Sequence, residues 1–517
     1  MTSFSDSTDR LYIDLLVDQL NMRSDETVIR YVSASVTARA LRTSIFRYAR
    51  ALESLGIGAG KRVALQAPNC PDALAVRYAA NLLGATTVFL PALDAKRQAA
   101  LLARLEPALL VVFAQTVHLV PDGVRARMVS IGFGRSSSRL DRRAAACSDE
   151  PMPARAMPED PGVLVSSGGT TGVPKFSQRS FAAYSAMVGS QMAEGRRQLI
   201  NGPLAYLSQV LVDKTLIGGG TVVLERRYDP AQTLASIQAE RITDVFLVEP
   251  QLYETMDHPD FDKRDLSSLR CVMHVGASSP PTLRQRALKR FGPVLTQMYG
   301  ASEAGLIAAL APPRYAANAR LPSFAGQICN GVAVRIRRDD GRIAEVGETG
   351  CIEVNSRFIA HGYFRQPLEE AQKFRDGWCM MGDAGFIDDC GNLRVLGRAS
   401  DVIETGSVVM EPAALEEVLC RLPEVRYAAA FASSDAAVYT WKLAVEPWPG
   451  KHVTRARCAA AIELALGAEI AARVDAVVLD RVPQTEQGKV DRAAIEAAMA
   501  ASSLPARNES AFVQAGR

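Results

Sequence analysis

Apolar positions recur at three- and four-residue spacing from Ser35 to Leu55, the period of a helix buried along one face. Gly56, Gly58 and Gly60 interrupt that period, and the short apolar run Arg62–Gln66 follows, which predicts a buried strand. Asn69-Cys-Pro71 opens a second helix running through Leu83, and residues 84–90 again read as a strand. Similar short runs recur at Leu109–Val112, Thr221–Leu224, Asp244–Val248 and Cys271–Val275. Strands that read as continuous apolar runs, alternating with helices, predict a parallel α/β layer covered on both faces.

The pattern changes at Gly326. Alternating stretches at Val332–Arg337 and Gly350–Val354 are separated by Asp-Gly and Gly-rich turns, the signature of antiparallel strands. A further region begins near Gly397 and holds a helix over Glu411–Arg421. Residues 134–161, rich in Ser, Arg, Ala and Pro, read as a loose connection, and residues 500–517 as a frayed tail. No internal repeat is visible.

Length and composition narrow the class. A chain of 517 residues exceeds one compact core and predicts about two or three domains. Apolar residues make up 48% and charged residues 22%, an ordinary globular balance. The net charge of +3 and the lack of a basic, aromatic-interleaved run exclude a dominant nucleic-acid footprint. Nine cysteines stand singly, with no CxxC pair and no zinc spacing, as expected of free thiols in a reducing cytoplasm. The polar start of the chain lacks the pattern of a signal peptide. The most apolar stretch, residues 101–120, is broken by Arg104, Glu106, Gln115 and His118, so no integral membrane segment is expected.

The first motif with chemistry is residues 165–175, Val-Ser-Ser-Gly-Gly-Thr-Thr-Gly-Val-Pro-Lys. Glycines let backbone N–H groups close on a ligand, hydroxyls add donors and the lysine adds a charge, a combination suited to a polyphosphate. It is neither a Walker A loop nor a dinucleotide fingerprint. Alone, it is also compatible with a plain flexible loop.

This loop resembles the signature of the adenylate-forming superfamily, which holds acyl-CoA synthetases, peptide-synthetase adenylation domains and firefly luciferase. Four more segments extend the likeness in the same order. Tyr299-Gly-Ala-Ser-Glu303 resembles the family's Tyr-Gly-x-Thr-Glu, with Ser302 in the Thr place. Met381-Gly-Asp383 resembles Thr-Gly-Asp, with Met381 in the Thr place. Asn392–Arg398 matches the segment before the family's hinge, and Pro483-Gln-Thr-Glu-Gln-Gly-Lys489 its C-terminal lysine motif. The likeness covers about Arg30 to Arg492.

The resemblance implies an α/β fold. A large N-terminal domain, residues 1–398, would combine layered α/β subdomains with a β-rich one and bind ATP and acid. A small, mobile α+β domain, 399–500, would carry the catalytic lysine, with a flexible tail at 501–517. Nucleotide binding would fall to Ser166, Ser167, Gly168, Gly169, Thr170, Thr171, Gly172 and Lys175, to the small-residue loop Gly276, Ala277 and Ser278, and to Tyr299, Gly300, Ser302, Asp383 and Arg398. Glu303 would hold Mg²⁺, a hard cation that prefers oxygen ligands beside phosphates. Lys489 would bridge the acid and the α-phosphate. Tyr206, Val275, Met298 and Ala301 would line the acyl pocket, Ser400 would be the hinge, and Gly406 would face the thiol donor.

The implied reaction joins a carboxylic acid to AMP with release of pyrophosphate, then moves the acyl group to CoA or to the phosphopantetheine of a carrier protein. A non-catalytic relative is the third reading, disfavoured by the intact Lys175, Glu303, Asp383, Arg398 and Lys489. Ser400 and Glu404 depart from the acidic or basic hinge residue and the lysine common in the family, which bears on the thiol step. The segment 203–209 lacks the Asp that peptide-synthetase domains use to hold an amino group, so an amino acid substrate is disfavoured. Tyr206 stands where many acyl-CoA synthetases have His, and a fatty or aryl acid fits the mixed side-chain sizes.

Overall fold

The computed structural model describes residues 10–167, 173–189, 194–275, 279–312, 324–405, 408–433 and 440–503. The chain divides into two compact units, Met1–Ala277 with Arg286–Val395, and Ser278–Gln285 with Leu396–Arg517.

Two sheets organise the first unit. In the smaller, of seven strands, Pro161–Ser166, Thr86–Phe89, Arg62–Gln66, Leu109–Phe113 and Met128–Ile131 run parallel in that order. Phe176–Ser180 and Gly362–Tyr363 add antiparallel strands at the edge beside Pro161–Ser166. The larger sheet has a parallel centre in the order Thr27–Tyr31, Thr221–Leu224, Arg197–Ile200, Asp244–Val248, Cys271–Val275 and Leu295–Ala301. It turns antiparallel at Gly305–Leu310 and continues through Gly326–Ile328, Asn392–Arg398, Trp378–Ile387, Gly350–Ser356 and Val332–Arg337 in that order.

The runs Thr221–Leu224, Asp244–Val248, Cys271–Val275 and Val332–Arg337 have the bounds that their apolar pattern predicts. Two segments differ from expectation. Residues 34–37 form a strand, and the helix begins one residue later as Ala38–Glu53, because the Thr37 hydroxyl accepts the Ala40 N–H and caps it. The loose connection contains the short helix Leu140–Ala145, which packs on Ala38–Glu53 through Leu140 and Ala144.

Helix Pro71–Leu82 is buried at every residue from Ala73 to Leu82, including Arg77. The Arg77 guanidinium pairs with both carboxylate oxygens of Asp213, at 2.8 Å to each. Tyr78 and Tyr184 donate to the same carboxylate at 2.5 Å, and the rings of Tyr12, Tyr78 and Tyr184 surround the guanidinium. A buried charge persists only when paired and hydrogen-bonded, and here both oxygens are filled. Four helices meet on this cluster: Tyr12–Met22, Pro71–Leu82, Phe181–Val188 and Gln209–Ile217.

The second unit is a three-stranded sheet, Val425–Ala432, Trp441–Pro447 and Val474–Val478, with helices Pro412–Cys420, Arg455–Leu466 and Arg492–Ser503. All nine cysteines are unpaired. Among the described residues no helix is long and apolar enough to cross a membrane.

Candidate active site

The phosphate-type loop sits between two paired strands, Pro161–Ser166 and Phe176–Ser180, with Ser166 opposite Phe176. Its neck is closed by the Ser167 N–H, which donates to the Lys175 carbonyl at 2.8 Å, and by the Lys175 N–H, which donates to Ser167 Oγ at 3.2 Å. Ser166 Oγ is buried and has no hydrogen-bond partner among the described residues. Gly168, Gly169, Thr170, Thr171 and Gly172 lie outside the described residues. Arg104 braces the loop's exit, donating to the Pro174 carbonyl at 3.2 Å and to Gln366 Oε1 at 3.1 Å.

Strand Leu295–Ala301 turns back into Gly305–Leu310 with an irregularity at Tyr299 and Gly300. Gly300 admits no side chain, since a Cβ there would lie 2.4 Å from the Gly305 carbonyl oxygen. The turn places Ser302 and Glu303. The Glu303 carboxylate is 7% exposed; Oε1 accepts the Tyr363 phenol at 2.5 Å and Oε2 accepts the Ser302 hydroxyl at 2.9 Å. Burial opposes its charge, but the Lys373 ammonium and the two hydroxyl donors outweigh that and hold its pKa below the usual carboxylate value. Ser177 Oγ ties this turn to the strand pair that flanks the glycine-rich loop, its one proton shared between the Ser302 carbonyl at 3.0 Å and that of Val165 at 3.2 Å. Arg179, 1% exposed, donates from Nε to the Phe358 carbonyl at 3.0 Å; burial lowers its pKa to about 10, against the opposing pull of Glu303.

Tyr299 and Asp383, 84 residues apart in sequence, meet in the same unit: the phenol donates to Asp383 Oδ2 at 2.6 Å. Met381 is buried in the same apolar cluster as Tyr299. An ionised oxygen donor at Glu303 suits a hard divalent cation, and a buried hydroxyl at Ser166 with no partner among the described residues suits phosphate oxygens, as does the nearby Lys175, so these residues fit Mg²⁺ and a nucleotide.

Of the residues expected to line the acyl pocket, Val275 ends its strand opposite Met298, and both are half-buried. Tyr206 sits half-buried in the single π-turn Leu204–Ser208 with non-helical φ −127° and ψ −142°, and packs against the main core, as does Met298. Ala301 packs instead beside Tyr299. Gly276, Ala277 and Ser278 lie outside the described residues. Asp213, the nearest acid to this wall in sequence, is fully occupied by Arg77, Tyr78 and Tyr184 and has no oxygen to spare for an amino group.

Arg398, Ser400 and Lys489 belong to the second unit and are exposed. Lys489 sits on a tight hairpin: Thr485 N–H donates to the Lys489 carbonyl at 2.7 Å, and Gly488 N–H to the Thr485 carbonyl at 2.8 Å. Beside Ser400, Asp401 is buried and accepts both Arg492 Nη atoms, at 2.5 and 3.2 Å. Gly406 lies outside the described residues. The motifs give no site role to Tyr363, Ser177, Arg179, Lys373 or Arg104, whose contacts join segments remote in sequence.

The profile of the AMP-binding enzyme family matches residues 16–364. Over 93% of this chain and 89% of its own length, a medium/long-chain-fatty-acid–CoA ligase of Mycobacterium tuberculosis is 29% identical. A feruloyl-CoA synthase of Amycolatopsis is 29% identical over 92% of this chain and 96% of its own. Among solved structures, an amide bond synthetase from Marinactinospora thermotolerans superposes with a TM-score of 0.82 at 31% identity, covering 94% of this chain and 99% of that one. With the motifs, the folded site and these full-length likenesses in agreement, the chain belongs to the AMP-binding enzyme family and is an AMP-forming, acyl-CoA-synthetase-like enzyme.

Proposed function

We propose that the protein activates a fatty or aryl carboxylic acid as its acyl-adenylate and transfers the acyl group to CoA. The observation that carries this reading is the Glu303 carboxylate, kept ionised and hydrogen-bonded, beside the strand pair that bears Ser166 and Lys175. A carboxylate substrate is already ionised at neutral pH and needs alignment and charge cancellation rather than a base. Its oxygen attacks the α-phosphorus, and the bond from that phosphorus to the pyrophosphate oxygen breaks. Lys175 and the Ser166 hydroxyl are the donors on the pyrophosphate side, and Tyr299 and Asp383 receive adenine and ribose. Glu303 would hold Mg²⁺, which would supply charge neutralisation on the leaving group. Lys489 is assigned to the incoming carboxylate and α-phosphate. In the second step the thiol sulfur bonds to the acyl carbon, AMP leaves, and the thiol proton passes to solvent.

The filled Asp213 supports an acid without an amino group, and the fatty-acid and feruloyl relatives support a fatty or aryl one. Nine free thiols support a cytoplasmic setting. A second reading keeps the same adenylate but delivers it to an amine. It is favoured by the 31% identical amide bond synthetase and by Glu404 standing where the family commonly has Lys.

Pyrophosphate release measured across fatty, aryl and amino acids, alone and with CoA, an amine or a phosphopantetheinylated carrier protein, tests both. Acid-dependent release stimulated by CoA, with a thioester product, is expected. Stimulation by amine with an amide product favours the second reading, and stimulation by the carrier alone points to carrier loading. No release with any acid overturns the proposal.

A further inference from the structure

We propose that Tyr363 is a positioning residue that couples the phosphate-side lysine to the metal-side carboxylate. The proposal rests on the assignment of Lys175 to phosphate and Glu303 to Mg²⁺ made above. Tyr363 touches both. Its phenol donates to Glu303 Oε1 at 2.5 Å, and its ring face lies 5.2 Å from the Lys175 ammonium.

The local fold holds it there from three sides. Gly362–Tyr363 pairs antiparallel with Phe176–Ser180, with Tyr363 opposite Ser177, two residues beyond Lys175. The Tyr363 N–H donates to Glu370 Oε2 at 3.0 Å. Gly362, at φ +154°, leaves the space that Glu370 occupies, since a Cβ there would lie 2.2 Å from Glu370 Oε2. The ring itself is buried edge-on against Phe374, with centroids 5.6 Å apart.

The physical consequence follows from counting lone pairs. Each carboxylate oxygen has two acceptor sites. Tyr363 takes one on Oε1 and Ser302 one on Oε2, and the Glu303 N–H also bonds the carboxylate, so its plane is held while an acceptor site stays available. Mg²⁺ demands near-ideal octahedral geometry, so a carboxylate held in one plane binds it better than one free to rotate. Donors behind a metal ligand typically change metal affinity 10–100-fold. The ring's negative face attracts the ammonium independently of the phenol. One side chain therefore carries two separable functions.

Tyr363→Phe removes the hydroxyl and keeps the ring, and Tyr363→Leu removes both. The full-length protein is titrated with a fluorescent ATP analogue in EDTA and at stepped Mg²⁺, with pyrophosphate release followed in parallel. Tyr363→Phe is expected to raise the Mg²⁺ concentration for half-maximal effect roughly tenfold while leaving analogue affinity in EDTA within about twofold. Tyr363→Leu is expected to weaken binding in EDTA as well. If Tyr363→Phe keeps the parent Mg²⁺ dependence while Glu303→Gln loses it, the coupling is wrong and the metal assignment stands. If Glu303→Gln itself keeps the parent dependence, the metal assignment fails. An equal loss for Tyr363→Phe in EDTA and in Mg²⁺ marks a merely structural residue and also overturns the inference.

Discussion

At the residue scale, the site is built from groups whose charge state is set by a few named neighbours. Glu303 is the clearest case, since burial alone would favour its protonated form and Lys373, Tyr363 and Ser302 reverse that. Glu303→Gln keeps the shape and one acceptor but loses the charge, and is expected to lower acid-dependent pyrophosphate release by roughly 10²-fold, with a melting temperature close to the parent's. Glu225 shows the opposite balance. It is 7% exposed, accepts from Thr233 Oγ1 at 3.4 Å, and burial raises its pKa from 4.5 to about 7. A raised folded-state pKa means the folded protein binds the proton more tightly than the unfolded chain. The associated stability is therefore complete below pH 4.5 and is lost as pH rises through about 7. Glu225→Gln should flatten that dependence, so that the melting temperature of the variant exceeds the parent's at pH 8 but not at pH 4.5. A variant that tracks the parent at both pH values would refute the assignment.

At the scale of elements, two features stand outside the usual helix and strand rules. The hairpin joining Thr27–Tyr31 to Ala34–Thr37 places Val32 at φ +55°, a left-handed conformation that a β-branched residue rarely adopts. The side chain is largely exposed and contributes little packing there. Val32→Asn is expected to stabilise the protein by about 1 kcal/mol, read as a rise in denaturation midpoint. The second feature is the Arg77–Asp213 pair, which joins helices Pro71–Leu82 and Gln209–Ile217. Gln209–Ile217 continues directly from the π-turn that carries Tyr206, so the pair anchors the wall assigned to the acid. Asp213→Ala strands a buried guanidinium and should destabilise the first unit by about 3–5 kcal/mol. The double variant Arg77→Met, Asp213→Leu should recover much of that loss, and a double variant no better than the single one would show that the pair is not the source.

At the scale of the whole molecule, the residues assigned to ATP and metal lie mainly in the first unit, and Lys489, Arg398 and Ser400 belong to the second. The chain passes from one unit to the other within strand Asn392–Arg398, and the short turn Ala399–Asp401 follows. Asp401 is committed to the second unit by Arg492, which leaves the exposed Ser400 as the last residue before that anchor. If the two half-reactions need different arrangements of this linker, Ser400→Pro restricts φ at the point of change. Adenylation, followed as acid-dependent pyrophosphate release, should then persist while acyl transfer to CoA falls at least about tenfold. Equal loss of both steps would remove Ser400 from the role of hinge.

Much of the site was legible because its motifs are local. A glycine-rich loop, an acid four residues after a tyrosine and a lysine after a tight turn each carry their chemistry within a few residues, and short apolar runs rich in β-branched residues, such as Asp244–Val248, read as buried strands. Helix Leu140–Ala145 was not legible, because just two of its residues are buried and no apolar period marks it. Local sequence alone dictated the reaction class, the parallel α/β core and the residue types at the positions assigned to phosphate and metal. Tertiary structure alone decided which of them meet. Tyr363 reaches Glu303 across 60 residues, Tyr299 reaches Asp383 across 84, and Arg77 reaches Asp213 across 136. Those contacts depend on strand register and helix packing between remote segments, and no local pattern of side chains encodes either.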